Sequence, residues 1–433
     1  MVEDRDTKLF LDFGRNFAKE RNFYDEPYLS PREEKHLLTL GILPEIEGIY
    51  KKDERKHEIN GIAISHAHTD HMDYLRYLKD DIPIYCSDLT KKIILTRECC
   101  SKPKSSEYKL ASLTKTRGYE EFKKFRPLNY EQKEKISSIE LQAFEVDHSI
   151  LGATSYLVYT SEATIAYTGD FRLHGVRREN TERFIEKARE KEVDALIIEG
   201  TNVVEAKPSS EEEVGQKSLE VVKRARNIVL VSFSLADIDR LRTFYQVAEE
   251  SGRELAISMK QAYLLKSLEK EKDLDLNLKD FLIFQREKKQ YSAWEDELIK
   301  KYQNKNIIKT SKQIWEMQDE IILVASFYDM NEMVELKPEA GSVYILSQSE
   351  PFNEEMEIDH RKLLNWLELY GLPLYNIHAS GHAYPHEIKK MVEEISPKKV
   401  FLIHTERPLL FKRYLEDLDV EVICPKEKEK IKI

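Results

Sequence analysis

Ser65-His66-Ala67-His68-Thr69-Asp70-His71 decides how this chain is read. It ends the apolar run GIAIS (61–65) and precedes helical periodicity over 71–79. Four potential metal ligands therefore fall within six residues, between a strand and a helix. Side chains of an extended segment alternate in direction, so His66 and His68 share one side. Asp70 and His71 turn toward a second position as the helix begins. Imidazole and carboxylate together suit Zn²⁺. A solvated histidine cluster in a surface turn is the plain alternative, and the density of ligand types weighs against it.

Outward from this stretch, short apolar β-rich runs alternate with amphipathic helical ones. Strands are predicted at LFLDF (9–13), IPIYC (82–86), IELQAF (139–144), SYLVYT (155–160), TIAYT (164–168) and ALIIEG (195–200). Later ones are NIVLVSF (227–233), ELAIS (254–258), EIILVAS (320–326), SVYILS (342–347), LYNIHAS (374–380), KVFLIHT (399–405) and VEVIC (420–424). The 3.6-residue period predicts helices over 182–191, 211–226, 235–250, 259–270, 358–370, 386–395 and 407–417. Interleaving over the whole length means an α/β protein.

The residues that look chemical follow strands. His66 comes after GIAIS and Asp170 after TIAYT, while Glu199 and His404 lie at the ends of ALIIEG and KVFLIHT. Strand ends gather on one rim of a sheet, where distant residues converge. No histidine occurs from 205 to 345. The expectation is a metal-bearing domain built from 1–204 and 346–433, with an inserted domain over 205–345.

His-x-His-x-Asp-His between a strand and a helix resembles the second metal motif of the metallo-β-lactamase superfamily. Its other motifs appear in order. Leu11-Asp12-Phe13-Gly14 is similar to the first, Asp147-His148-Ser149 to the third and Thr168-Gly169-Asp170-Phe171 to the fourth. Taken singly, Asp170 reads as a turn residue and His148 as a core histidine; together they read as a site. The resemblance implies an αββα sandwich holding two Zn²⁺, with Mn²⁺ as the substitute. One ion would take His66, His68 and His148, the other Asp70, His71 and His404. Asp170 would bridge them, and Asp12 would position the metal loop.

The later motifs resemble the β-CASP nuclease branch. Ile198-Glu199-Gly200-Thr201 is similar to motif A, Ser380-Gly381-His382 to motif B and Leu402-Ile403-His404-Thr405 to motif C. The string His378-Ala379-Ser380-Gly381-His382-Ala383 is similar to that of ribonuclease J enzymes. Residues 345–351 resemble the return from the inserted α/β β-CASP domain. Histidine at 404, where DNA-repair members have an apolar residue, favours RNA. The extent of the chain resembles the short archaeal-type forms.

What the resemblance implies is a metal-dependent 5′→3′ exoribonuclease acting on single-stranded RNA. Asp70 would orient the attacking water, and Glu199 with His382 would serve the leaving oxygen. Ser232, Ser234, His378 and Ser380 would hold a 5′-phosphate. Alternatives are a β-CASP endoribonuclease, a lactonase-like small-molecule hydrolase, or an inactive RNA-binding subunit. The group also implies a homodimer.

Composition narrows the rest. The chain has 433 residues, 34% of them charged, with 68 Lys and Arg against 79 Asp and Glu. A net charge of −11 argues against indiscriminate nucleic-acid binding, though not against a local basic groove. Residues 102–126 (Lys102, Lys104, Lys109, Lys115, Arg117, Lys123, Lys124, Arg126) and 172–191 (from Arg172, Arg177 and Arg178) could line one, or could be solvated surface charge. No apolar run approaches the ~20 residues that span a bilayer, and the acidic start does not resemble a signal peptide. A cytoplasmic location is expected. Cys86, Cys99, Cys100 and Cys424 match no zinc ribbon and suggest no disulfide framework.

Overall fold

Strand register explains how the candidate residues come to share one edge. Thr7–Leu11 runs parallel to Gly61–Ala63, Thr164–Tyr167 to Ala195–Glu199, and Ala195–Glu199 to Lys399–Ile403. Parallel strands end on the same side of a sheet, so the residues that follow them emerge together. The computed structural model describes residues 1–25, 28–101, 106–114, 118–203, 207–271, 274–349 and 354–433. Glu26, Pro27, Lys102, Lys104, Lys115, Arg117, Glu350, Pro351 and the expected boundary at 204/205 lie outside these residues.

Two compact units make up the chain. The first comprises residues 1–173, 177–206 and 382–433. One of its sheets orders Val2–Asp4, Thr7–Leu11, Gly61–Ala63, Pro83–Ser87 and Lys124–Leu128. The other orders Glu421–Ile423, Lys399–Ile403, Ala195–Glu199, Thr164–Tyr167, Thr154–Tyr159, Ile139–Glu145 and Lys133–Ile136. The facing sides meet in one apolar layer that includes Leu9, Ala63, Leu141, Tyr156, Val158 and Phe401. Ile139–Glu145 alternates buried and half-buried residues along most of its length, as a strand with one face in the core must. On the outer face of the second sheet, Phe184, Ile388, Met391 and Phe411 bring in the helices Arg178–Glu190, Pro385–Ile395 and Pro408–Tyr414. The helix Asp88–Cys100 packs on the first sheet. This is the expected helix–sheet–sheet–helix sandwich.

The second unit comprises residues 174–176 and 207–381. Seven strands, all parallel, form its sheet in the order Ile308–Lys309, Leu282–Phe284, Glu254–Ser258, Ile321–Val324, Val229–Ser232, Val343–Leu346 and Leu374–Asn376. Its strands read as continuous apolar runs because helices cover parallel sheets on both faces. Its end differs from expectation. The unit continues to Gly381 rather than 345, because Leu374–Asn376 pairs with Val343–Leu346 and completes the inserted sheet.

Other expectations shift as well. The helix read over 71–79 is one α-turn, Thr69–Met72, followed by a 3₁₀ segment, Asp73–Tyr77. LYNIHAS is a strand only over Leu374–Asn376, so His378 and Ser380 lie in a loop. The helix Asp88–Cys100 was not anticipated: its Ile93-Ile94-Leu95 run masks the helical period, and the Ser87 hydroxyl that accepts from the Thr90 amide at 3.0 Å starts it. Two residues leave the expected basic surface. Lys123 is buried with its amine on the Leu78 carbonyl, and Arg172 is buried 2.8 Å from Asp147. Among the described residues, no helix is long and apolar enough to cross a membrane. None of the four cysteines is in a disulfide among the described residues.

Candidate metal centre

Asp12 has a φ of 60°, a left-handed conformation that Asp tolerates better than most residues. Its carboxylate accepts from the Ser65 amide at 2.6 Å, the Ser65 hydroxyl at 2.7 Å and the Tyr167 hydroxyl at 2.5 Å. It also accepts from Nδ1 of His71 at 2.7 Å. Having given its proton to Asp12, the Ser65 hydroxyl accepts from Nδ1 of His66, 2.9 Å away. Both imidazoles are thus held with the proton on Nδ1 and Nε2 turned inward.

The segment after Asp12 straps the ligand loop. The amides of Phe13 and Arg15 donate to the carbonyls of His71 and Thr69, each at 2.9 Å. A Cβ on Gly14 would stand 1.8 Å from the Asp70 carbonyl oxygen, so only glycine allows this approach. Gly169 plays the same part before Asp170: its φ is 56°, and a Cβ would meet that of Ser65 at 2.7 Å.

Two ligand groups share Asp170. In the first, His66 Nε2 is 3.0 Å from His68 Nδ1, which is 3.2 Å from His148 Nε2. Asp170 Oδ2 is 3.6 Å from the His66 nitrogen. In the second, Asp170 Oδ2 is 3.1 Å from His71 Nε2, and Asp70 Oδ2 is 3.3 Å from His404 Nε2. A third group joins Asp170 and His404 to Glu199 and His382. Donor atoms within each group lie within 4.8 Å of one another.

These residues fit bound metal. His71 Nε2 and both carboxylate oxygens of Asp170 are buried with no hydrogen-bond partner among the described residues. Buried polar atoms left this way are rare without an ion or water to satisfy them. Burial pushes His66 well below the usual histidine range and His68 down to about 4, so both are neutral lone-pair donors. Burial also opposes charge on His71, but Asp170 and Asp12 outweigh it and raise its pKa well above normal. A cation there would take over the charge compensation that this proton supplies.

Beside the shared carboxylate, Glu199 is fully buried and accepts from the Phe171 amide at 3.0 Å and His382 Nδ1 at 2.9 Å. It accepts from the Thr201 hydroxyl at 2.7 Å, which leaves the Thr201 oxygen to accept from His404 Nδ1 at 2.8 Å. His404 Nε2 therefore turns toward Asp70. Sequence reading quoted Thr201 without a role; the only signal was its place one residue beyond Glu199-Gly200. Asp147 was missed in the same way. It holds Arg172 Nε at 2.8 Å and the Arg177 amide at 2.8 Å, fixing the loop of His148 to the loop after Asp170.

The four residues expected to bind phosphate lie in the second unit. Ser232 ends its strand and is buried, Ser234 is exposed, and His378 and Ser380 are half-buried in the 377–381 loop. Arg240, fully buried, organises that loop: it reaches His378 Nδ1 at 3.3 Å, the Ala379 carbonyl at 3.2 Å and the Ser347 hydroxyl at 2.6 Å. The Ser380 carbonyl accepts from His174 Nε2 at 2.8 Å.

Residues 49–231 match the beta-lactamase superfamily domain, and residues 372–425 match the Zn-dependent metallo-hydrolase RNA specificity domain. Residues 49–231 thus carry a beta-lactamase superfamily domain. The chain is similar to ribonuclease J of Mycoplasma pneumoniae, 24% identical over 426 residues, covering 94% of this chain and 65% of that protein. Ribonuclease J of Thermus thermophilus is 26% identical over 372 residues, 82% of this chain and 59% of that one. The chain thus spans just under two thirds of the length of these curated relatives. The fold is similar to that of a protein of unknown function from Enterococcus faecalis, with a TM-score of 0.77 and 24% identity, covering 99% of this chain and 95% of that one.

Proposed function

We propose that this chain is a metal-dependent ribonuclease of ribonuclease J type, working 5′→3′ on single-stranded RNA. The observation that carries the reading is the convergence of His66, His68, His148, Asp70, His71 and His404 on Asp170, beside the Glu199–His382 pair. The likeness to relatives named ribonuclease J, and the match of the C-terminal segment to an RNA specificity domain, support RNA as the substrate.

His66, His68 and His148 would hold one Zn²⁺, and Asp70, His71 and His404 the other, with Asp170 between them; Mn²⁺ suits the same donors. Bound there, the pair would lower the pKa of a water and offset charge on the phosphoryl oxygens. Asp70, partly open to solvent, accepts a hydrogen bond from the attacking water and orients it. The Glu199–His382 pair delivers a proton to the leaving oxygen. Asp12 keeps His71, and through Ser65 also His66, in the ligating tautomer. Ser232, Ser234, His378 and Ser380 bind the 5′-phosphate, which makes cleavage count from that end. The likeness also proposes a cytoplasmic homodimer.

The test uses matched single-stranded RNAs with a 5′-monophosphate, 5′-triphosphate or 5′-hydroxyl, labelled at either end, with Zn²⁺ or Mn²⁺. The expected result is mononucleotides from the 5′ end, fastest for the monophosphate and absent in the Asp70→Ala, His71→Ala double variant. Internal fragments indifferent to the 5′ group would make it an endonuclease and remove the phosphate assignment. No cleavage of RNA despite bound metal would return a small-molecule hydrolase or an inactive RNA-binding subunit.

A further inference from the structure

The helix Asp88–Cys100 carries Arg97, whose Nη1 donates to the Ala67 carbonyl at 2.7 Å. Ala67 is buried between His66 and His68, so this bond ends on the backbone of the ligand loop. Other arginines of the same unit are ion-paired: Arg76 with Asp73 and Glu98, Arg172 with Asp147. Arg97 differs from them. Among the described residues no carboxylate lies within ion-pair distance of it, and the Ala67 carbonyl is its one acceptor.

Burial works against the guanidinium charge, and Asp73 and Asp70 offset it from beyond contact distance. Asp73 already serves Arg76, and Asp70 belongs to the second ligand group. A partly desolvated cation without a counter-ion is costly to keep, and a ligand anion removes that cost. The residue as a whole is half-buried. Arginine has five N–H donors in a planar fork that matches phosphate oxygens; one is anchored here, and the others have no acceptor among the described residues.

We propose that Arg97 contacts a non-bridging oxygen of the scissile phosphodiester, with the Ala67 carbonyl holding its guanidinium in place. This rests on the phosphodiesterase reading above. The contact strengthens as charge builds on the phosphoryl oxygens, so it acts on the transition state more than on binding.

The test compares wild type, Arg97→Gln and Arg97→Lys on a 5′-monophosphorylated single-stranded RNA and on bis(p-nitrophenyl) phosphate. Zn²⁺ affinity is read separately, by competition with a chromophoric chelator. The expected result for Arg97→Gln is a loss of about 100-fold in kcat/KM on both substrates, most of it in kcat, with Zn²⁺ affinity unchanged. Arg97→Lys recovers part of the loss, since it restores the charge without the fork. Unchanged kinetics in Arg97→Gln overturns the proposal. So does a Zn²⁺ affinity that falls in step with the rate, which would make Arg97 a positioning residue acting through Ala67. A wild type that cleaves the small diester but not RNA defeats the ribonuclease reading alone, and the small diester still decides Arg97. A wild type inert toward both with metal bound overturns both.

Discussion

Glu199 and His382 are separated by 183 positions in the chain and by 2.9 Å in the fold. The Phe171 amide and the Thr201 hydroxyl also donate to Glu199, so three donors satisfy a carboxylate that has no access to water. Glu199→Gln keeps the shape and removes the charge. Hydrolysis is expected to fall about 100- to 1,000-fold, the usual worth of a proton-transfer group, with Zn²⁺ still bound. Kinetics paired with a metal titration decides it. Loss of metal and activity together would mean that Glu199 acts through Thr201 on the orientation of His404.

Asp12→Asn tests the support beneath the ligand loop. Asn tolerates the left-handed backbone at this position, so the fold should survive. The neutral amide holds His71 Nδ1–H and the Ser65 hydroxyl less well, and Zn²⁺ affinity should drop about 10- to 100-fold. Chelator competition measures it; an unchanged affinity would take Asp12 out of the metal site's support.

In the second unit, Arg240 meets Glu211 at 2.6 Å through Nε and 3.0 Å through Nη2, both side chains fully buried. Arg240→Met removes both of these bonds from a buried carboxylate, to which the Thr243 hydroxyl also donates at 2.9 Å, and should cost about 3–5 kcal/mol of stability. The Glu211→Gln, Arg240→Met double variant should recover much of it. Urea unfolding of the single and double variants measures the difference; equal losses in both would mean packing, not the orphaned charge, sets the cost.

Lys123 supplies a pH signature away from the metal site. Burial pulls its pKa down to about 8, against the opposing pull of Asp80. An unfolded lysine titrates near ~10.4. Between these values the unfolded chain holds a proton that the folded chain has released, so this group makes stability rise with pH across the window and leaves it flat below. Lys123→Met should remove that rise. Urea unfolding from about pH 6 to pH 10 reads it as a difference between wild type and variant; a difference that stays constant across the window counts against the assignment.

Much of the site was legible because ligand chemistry is local. His66, His68, Asp70 and His71 sit in one loop, and their spacing alone places them on two sides of it. Asp170, Glu199 and His404 were found because each follows an apolar strand. Thr201, Arg97 and Arg240 were not, since each acts through a partner distant in sequence and carries no pattern of its own. The inserted unit was legible as a long stretch without histidine. Its end was not, because Leu374–Asn376 reads the same as a strand of either unit until its pairing with Val343–Leu346 is seen.

By itself, then, the sequence determined the donor set, the α/β class and the presence of an insertion, because residue type, period and order along the chain carry these directly. Tertiary structure alone decided which nitrogen of His66, His71 and His404 turns inward, and that the inserted unit runs to Gly381. Those properties depend on parallel strands bringing Asp12 to Ser65, Glu199 to His404 and Asp170 among all three ligand groups. Register and hydrogen-bond direction exist only between segments that have already been packed together.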